Sequence, residues 1–100
     1  MKFYDFLDCM NVELDLKRYP NQNGRWIAQI NDAETKDGCI LSGEYGNAKN
    51  PKDAINDYIR NIVGKTIVVC STIETMRREF VCPMSTEFIN EEELKWRGSK

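Results

Sequence analysis

Any catalysis by this chain would have to come from carboxylates or thiols, because the sequence contains no histidine. Imidazole proton shuttling, Ser-His or Cys-His activation and His-ligated metal sites are therefore excluded within it. Carboxylates do recur at suggestive spacings: Asp5 with Asp8, Glu13 with Asp15, Asp53 with Asp57, and the run Glu91-Glu92-Glu93. A general acid–base pair needs an environment that separates two pKa values. Asp53 and Asp57 fall four apart on the polar side of a helical pattern, and Glu13 and Asp15 on the polar side of an alternating one. Both pairs read as solvated faces. The cysteines, Cys9, Cys39, Cys70 and Cys82, are scattered with no CxxC pair. They are expected as free thiols acting as small apolar core residues, not as a disulfide framework or a zinc site. No catalytic residue, metal or cofactor is assigned, and the chain reads as a non-enzyme.

Binding chemistry has two candidate residue sets. Lys49 and Lys52 bracket the start of a helical segment, and Arg60 and Lys65 follow along it and after it. Lysines at a helix start can grip backbone phosphates, so these four define an RNA- or DNA-contacting alternative. Polyanion affinity rises with the number of phosphates neutralised, however, and Asp53 and Asp57 are interleaved with the cations. The second set is Tyr19, Arg18, Trp96, Arg77 and Arg78, a Tyr/Trp/Arg composition enriched at protein-binding hot spots. Gly43-Glu44-Tyr45-Gly46 is a GxxG, but a phosphate cradle would want a denser glycine run and a Lys-Ser/Thr pair at the helix start. Gly43 reads instead as a close-packing or bulge residue and Gly46 as a loop residue.

The elements that must position these groups follow from periodicity. Phe3, Phe6, Leu7 and Met10 form an i, i+3, i+4, i+7 stripe opposite Asp5 and Asp8, a short helix that Asn11 should stop. Val12, Leu14 and Leu16 alternate with Glu13, Asp15 and Lys17 as a half-buried strand. Asn23-Gly24 marks a hairpin, after which Trp26, Ala28 and Ile30 share one face and Arg25, Ile27 and Gln29 the other. Asp37-Gly38 closes a second hairpin, leading to a strand over 39–45. Asn50 as N-cap and Pro51 at the first position open a helix whose apolar stripe is Ala54, Ile55, Tyr58, Ile59, Ile62 and Val63, with Gly64 ending it. Residues 66–70 are a β-branched strand, and Arg77 to Cys82 return beside it before Pro83. A short helix over 90–98 starts from an Asn90/Glu93 cap.

One hundred residues at 41% hydrophobic and 30% charged suit a single globular domain over 1–100, with 84–100 as a loosely docked tail. The expected class is α+β. It comprises a short N-terminal helix, an antiparallel meander of three strands, an amphipathic helix packed on the sheet, a β-hairpin and a short C-terminal helix. Fourteen basic against sixteen acidic residues leave a formal net charge of −2, which argues against a nucleic-acid arm and against an acidic DNA mimic. Asp5 and Asp8 interrupt what would have to be the apolar core of a signal peptide, and no stretch is long and apolar enough for a membrane span. A cytoplasmic setting is expected.

The passage Gly43-Glu44-Tyr45-Gly46-Asn47-Ala48-Lys49-Asn50-Pro51-Lys52-Asp53-Ala54-Ile55 resembles the strand-to-helix passage of HicB-like antitoxin domains. There a Gly-containing strand end precedes a Thr/Asn-Pro-x-Glu/Asp-Ala-hydrophobic helix start. The resemblance covers about residues 12–70 and implies a β-β-β-α-β order. Residues 31–38 replace the family's acidic-aromatic-Pro-Gly passage, and no appended DNA-binding segment follows Pro83. The whole chain, including residues 19–26 and 62–68, looks like small phage and prophage proteins of Gram-positive bacteria. That likeness implies an accessory factor that binds and inhibits or modulates a host protein, such as a CRISPR nuclease of a defence system. A second copy of the chain, joined through an edge strand, is a further expected partner.

Overall fold

The computed structural model describes residues 1–94. The fold is α+β, with the two helices and two antiparallel sheets built from α1 (Phe3–Met10), β1 (Leu14–Tyr19), β2 (Arg25–Ile30), β3 (Ala33–Asp37), β4 (Ile40–Ser42), β5 (Gly46–Ala48), α2 (Pro51–Ile62), β6 (Thr66–Val69) and β7 (Arg78–Val81). A single 3-10 turn follows β1 at Pro20–Gln22, and another lies at Glu91–Glu93.

Each element forms where its sequence period and end signals agree. In α1 the stripe Phe3, Phe6 and Leu7 is buried, and Asn11 takes a left-handed φ of 54° that ends the helix. The β1–β2 hairpin turns at Asn23 and Gly24, both with positive φ. Its register, Leu16 opposite Ala28 and Tyr19 opposite Arg25, puts Leu16, Ala28 and Ile30 on the inner face. Asn50 Oδ1 accepts from the Asp53 N–H at 2.9 Å, capping α2 above Pro51. Its buried stripe is Ala54, Ile55, Tyr58, Ile59 and Ile62, and Gly64 at φ +76° turns the chain toward β6.

The strands assemble differently from a simple meander. Residues 33–37, which carry no strand assignment from sequence, form β3, which pairs with both β4 and β6. Ala33 and Thr35 point inward and are buried, a weak alternation masked by Glu34, Lys36 and Asp37. The strand expected over 39–45 is split into β4 and β5. Residues 43–45 carry the chain from one sheet to the other, so the sheets run β1-β2-β5 and β4-β3-β6-β7.

Gly46 explains the crossing. A Cβ there would collide with the Ala54 carbonyl oxygen and the Tyr58 amide nitrogen, so α2 lies directly on the β5 backbone. The close-packing role expected of Gly43 belongs to Gly46. Gly43 has no neighbour for an added Cβ nearer than Gln29 Nε2 at 4.0 Å.

One hydrophobic cluster joins both helices to the inner faces of both sheets, from Phe3 and Phe6 through Ile30, Ile55 and Tyr58 to Ile67 and Cys82. The Phe3 and Tyr58 rings meet edge-on at 6.5 Å, and Phe6 meets Phe80 at 5.8 Å. The described part of the expected loose tail is pinned. The Met1 ammonium donates to the Ser85 carbonyl at 2.9 Å, the Glu87 N–H donates to the Met1 carbonyl, and the Asn56 amide both donates to and accepts from the Ile89 backbone. Buried Ile89 supplies the apolar anchor that makes this docking favourable. The Asn90 side chain accepts from the Glu93 N–H, as its spacing suggests, but over a 3-10 turn. The rest of the helix expected over 90–98 lies outside the described residues. No described helix is long and apolar enough to cross a membrane.

Candidate functional site

The outward face of the three-stranded sheet is built by alternation. Because Leu16, Ala28 and Ile30 face the core, the residues between them must face out: Asp15, Lys17 and Tyr19 on β1, Arg25, Ile27 and Gln29 on β2, and Asn47 on β5. Tyr45, just before β5, completes the surface. Tyr19, Gln22, Ile27, Gln29, Tyr45 and Asn47 line a shallow depression of about 280 Å³. A smaller one of about 80 Å³ continues from Tyr19 and Ile27 toward Asp15 and Lys17. Past Tyr45 and Asn47 a third, about 370 Å³, runs along Ser42, Gly43 and Glu44 to Asp57 and Asn61 of α2.

Polar contacts hold this surface in shape. Arg25 Nε donates to Asn47 Oδ1 at 2.6 Å, while the Asn47 N–H donates to Asp57 Oδ2 at 3.0 Å. Asp57 also accepts from Arg60 Nη1 at 2.9 Å. Asn61 Nδ2 donates to the Tyr45 carbonyl, fixing the loop that presents the Tyr45 ring. Asp57 is thus half-buried and tied on both sides, correcting the expectation that it is a freely solvated partner of Asp53. Behind the sheet, the Ile30 N–H donates to the Tyr58 hydroxyl at 3.1 Å. Burial pushes the Tyr58 pKa far above its ordinary value.

The residues singled out from sequence disperse. Tyr19 lies on the open face. Arg18, its chain neighbour, points to the other face opposite Trp26, with its guanidinium beside Gly24. Arg77 pairs with Glu79 at 3.0 Å. Arg78 reaches across to donate to the Met10 carbonyl at 2.6 Å and the Asn11 carbonyl at 3.4 Å, placing a cation on the C-terminal end of α1. Arg78 is therefore occupied by the fold at the opposite end of β1 from Tyr19. Trp96 lies outside the described residues.

The basic set does not converge either. Lys49 and Lys52 sit at the N-terminal end of α2, Lys52 within 3.9 Å of Asp53. Arg60 is held by Asp57 and lies 5.7 Å from the Phe88 ring centre, and Lys65 follows the far end of the helix. Helical rise alone separates Lys52 from Arg60 by about 12 Å.

Sequence reasoning missed Tyr45, Gln29 and Asn47. Gln29 and Ile27 follow from the second face of β2, whereas Tyr45 lies between β4 and β5, where alternation carries no signal. Standing outside any strand, it is 50% exposed.

The cysteines are free, but only Cys82 fills the core role expected of all four. Cys9 and Cys39 are exposed, and Cys70 is half-buried at a left-handed φ of 53°. Burial raises the Cys82 thiol pKa, and burial followed by a hydrogen bond with Asp32 raises that of Cys70, so both favour the neutral thiol. No group of three or more His, Cys, Asp or Glu among the described residues could hold a metal ion. No family model, curated protein or solved structure matches the chain.

Proposed function

We propose that this protein is a non-enzymatic binding module whose outward three-stranded face covers the surface of another protein. The observation that carries this reading is that Tyr19, Ile27 and Tyr45 line one shallow depression whose edge is hydrogen-bonded. Two tyrosines and an isoleucine among amide side chains, with Arg25 tied to Asn47 beside them, have the composition of a protein-binding hot spot. The depression is open and lined by amides, which suits a macromolecular surface better than an engulfed small substrate. Among the described residues, Tyr58, Cys70, Cys82 and Glu79 have displaced pKa values, and these groups lie outside the depression.

The likeness to HicB-like domains and to small phage and prophage proteins supports a bacterial host protein as the partner and its inhibition or modulation as the outcome. A nuclease of a defence system is one such target. Affinity capture from bacterial lysate, with and without nuclease treatment, tests the class of partner. One dominant protein that survives nuclease, and is lost when Tyr19 and Tyr45 are both changed to Ser, is expected. Recovery that collapses with nuclease would overturn the reading in favour of Lys49, Lys52, Arg60 and Lys65.

A further inference from the structure

We propose that β1 pairs antiparallel with the β1 of a second copy, centred on Leu16, to join two three-stranded sheets into one of six strands. Among the described residues, strand β1 is the longest edge of either sheet and is bonded on one side only, to β2. The Glu13 carbonyl accepts from the Asn31 N–H on the β2 side. Backbone alternation then turns the N–H and C=O groups of Leu14, Leu16 and Arg18 to the open edge. Such a row is a template for another strand.

Charge selects both the occupant and the register. Residues directly opposite one another share a sheet face, so a two-fold axis that keeps both inner faces on one side must pass through a residue. Centring on Asp15 sets two Asp15 carboxylates against each other between flanking pairs of Lys17 with Glu13, and centring on Lys17 sets two ammonium groups against each other with no compensating pair. Centring on Leu16 instead places Asp15 opposite the partner's Lys17 and Lys17 opposite the partner's Asp15. These opposite-charge pairs fall at the non-hydrogen-bonded positions, where side chains approach most closely. Leu14 with Arg18, Leu16 with Leu16 and Arg18 with Leu14 then exchange the backbone bonds. Asp15 and Lys17 are both exposed in the single chain, so the pairs form without dismantling the fold. The two outward faces become one continuous surface with both Tyr19 rings on it.

Sedimentation equilibrium on the full chain tests this without any partner, so its failure leaves the binding reading standing and can be told apart from failure of that reading. A species of twice the 11.6 kDa chain mass is expected. Asp15→Lys and Lys17→Asp should each weaken dimerisation by about tenfold or more, since each turns two attractions into two repulsions. Mixing the two variants should restore a dimer, because Lys at 15 then faces Asp at 17 and the remaining pair also matches. Circular dichroism establishes that each variant is folded, and Asp15→Asn with Lys17→Gln serves in place of one that is not, with both expected to weaken the dimer. A wild-type chain monomeric up to roughly millimolar concentration would overturn the proposal. So would a dimer indifferent to the charge changes, or variants that stay monomeric on mixing.

Discussion

On the outer face of the four-stranded sheet, Val68 is fully buried although it lies outside the main core cluster, whereas on the outer face of the three-stranded sheet Tyr19 and Tyr45 remain 39% and 50% exposed. The two faces are finished by different chemistry. Val68 stands between Glu34 and Glu79 in the cross-strand row. Glu34 accepts from Ser71 Oγ, and Glu79 is held by Lys36 at 3.3 Å and Arg77 at 3.0 Å. Carboxylates tied to neighbours thus flank the apolar residue on both adjoining strands, where long Lys and Arg stems can also cover apolar surface. On the other face the polar groups bond along the rim, Arg25 to Asn47 and Asn61 to the Tyr45 carbonyl, and leave the rings uncovered. The cover is local to the centre of the four-stranded sheet, since Val81 at the end of β7 on the same face is 57% exposed. What differs around Val68 is that the neighbouring charges find their partners across it.

The sharpest way to break this contrast is to remove the support of the open face. Gly46→Ala forces a methyl into the α2 backbone and should cost about 3 kcal/mol, read as a lower urea midpoint. Next, truncation should distinguish the faces in stability alone. Val68→Ala removes buried methyl groups and should cost about 1.5 kcal/mol, whereas Tyr45→Ala should stay within about 0.5 kcal/mol. Equal losses would erase the distinction. In between lies Asn50→Ala, which removes the α2 cap and should cost about 1 kcal/mol without altering the β1–β2 hairpin.

The smallest effect sharpens the account of the closed face. Hydrogen bonds from Arg77 and Lys36 hold the Glu79 carboxyl below its ordinary pKa of 4.5. A folded value below the unfolded one means the stabilisation is complete above the ordinary carboxylate range and is lost as pH falls through the folded value. The urea midpoints of wild type and Glu79→Gln should therefore differ at neutral pH and converge in acid.

Much of this organisation was legible in the sequence because single residues signalled it. The α1 stripe, Asn23-Gly24, the Asn50-Pro51 opening of α2 and the β-branched run of β6 each combine period with an end signal, and each stands where that combination puts it. Strand β3 was not legible, because its inward residues are only Ala33 and Thr35 and its outward ones are charged. The split of the 39–45 segment was hidden for another reason. It depends on which glycine meets α2, a tertiary contact that spacing cannot report.

The open face was half visible. Its β1 and β2 residues follow from alternation once the inner face is known, but Tyr45 arrives through the crossing between sheets. Arg78 shows the converse, an exposed cation that sequence offers for binding and the fold uses to cap a helix.

The most direct test compares capture by two matched variants, Tyr45→Ser on the open face and Lys36→Ser on the closed one. Loss of the nuclease-resistant partner with Tyr45→Ser and its retention with Lys36→Ser is the predicted result. Retention with Tyr45→Ser and loss with Lys36→Ser would contradict the account and move the binding surface to the four-stranded sheet.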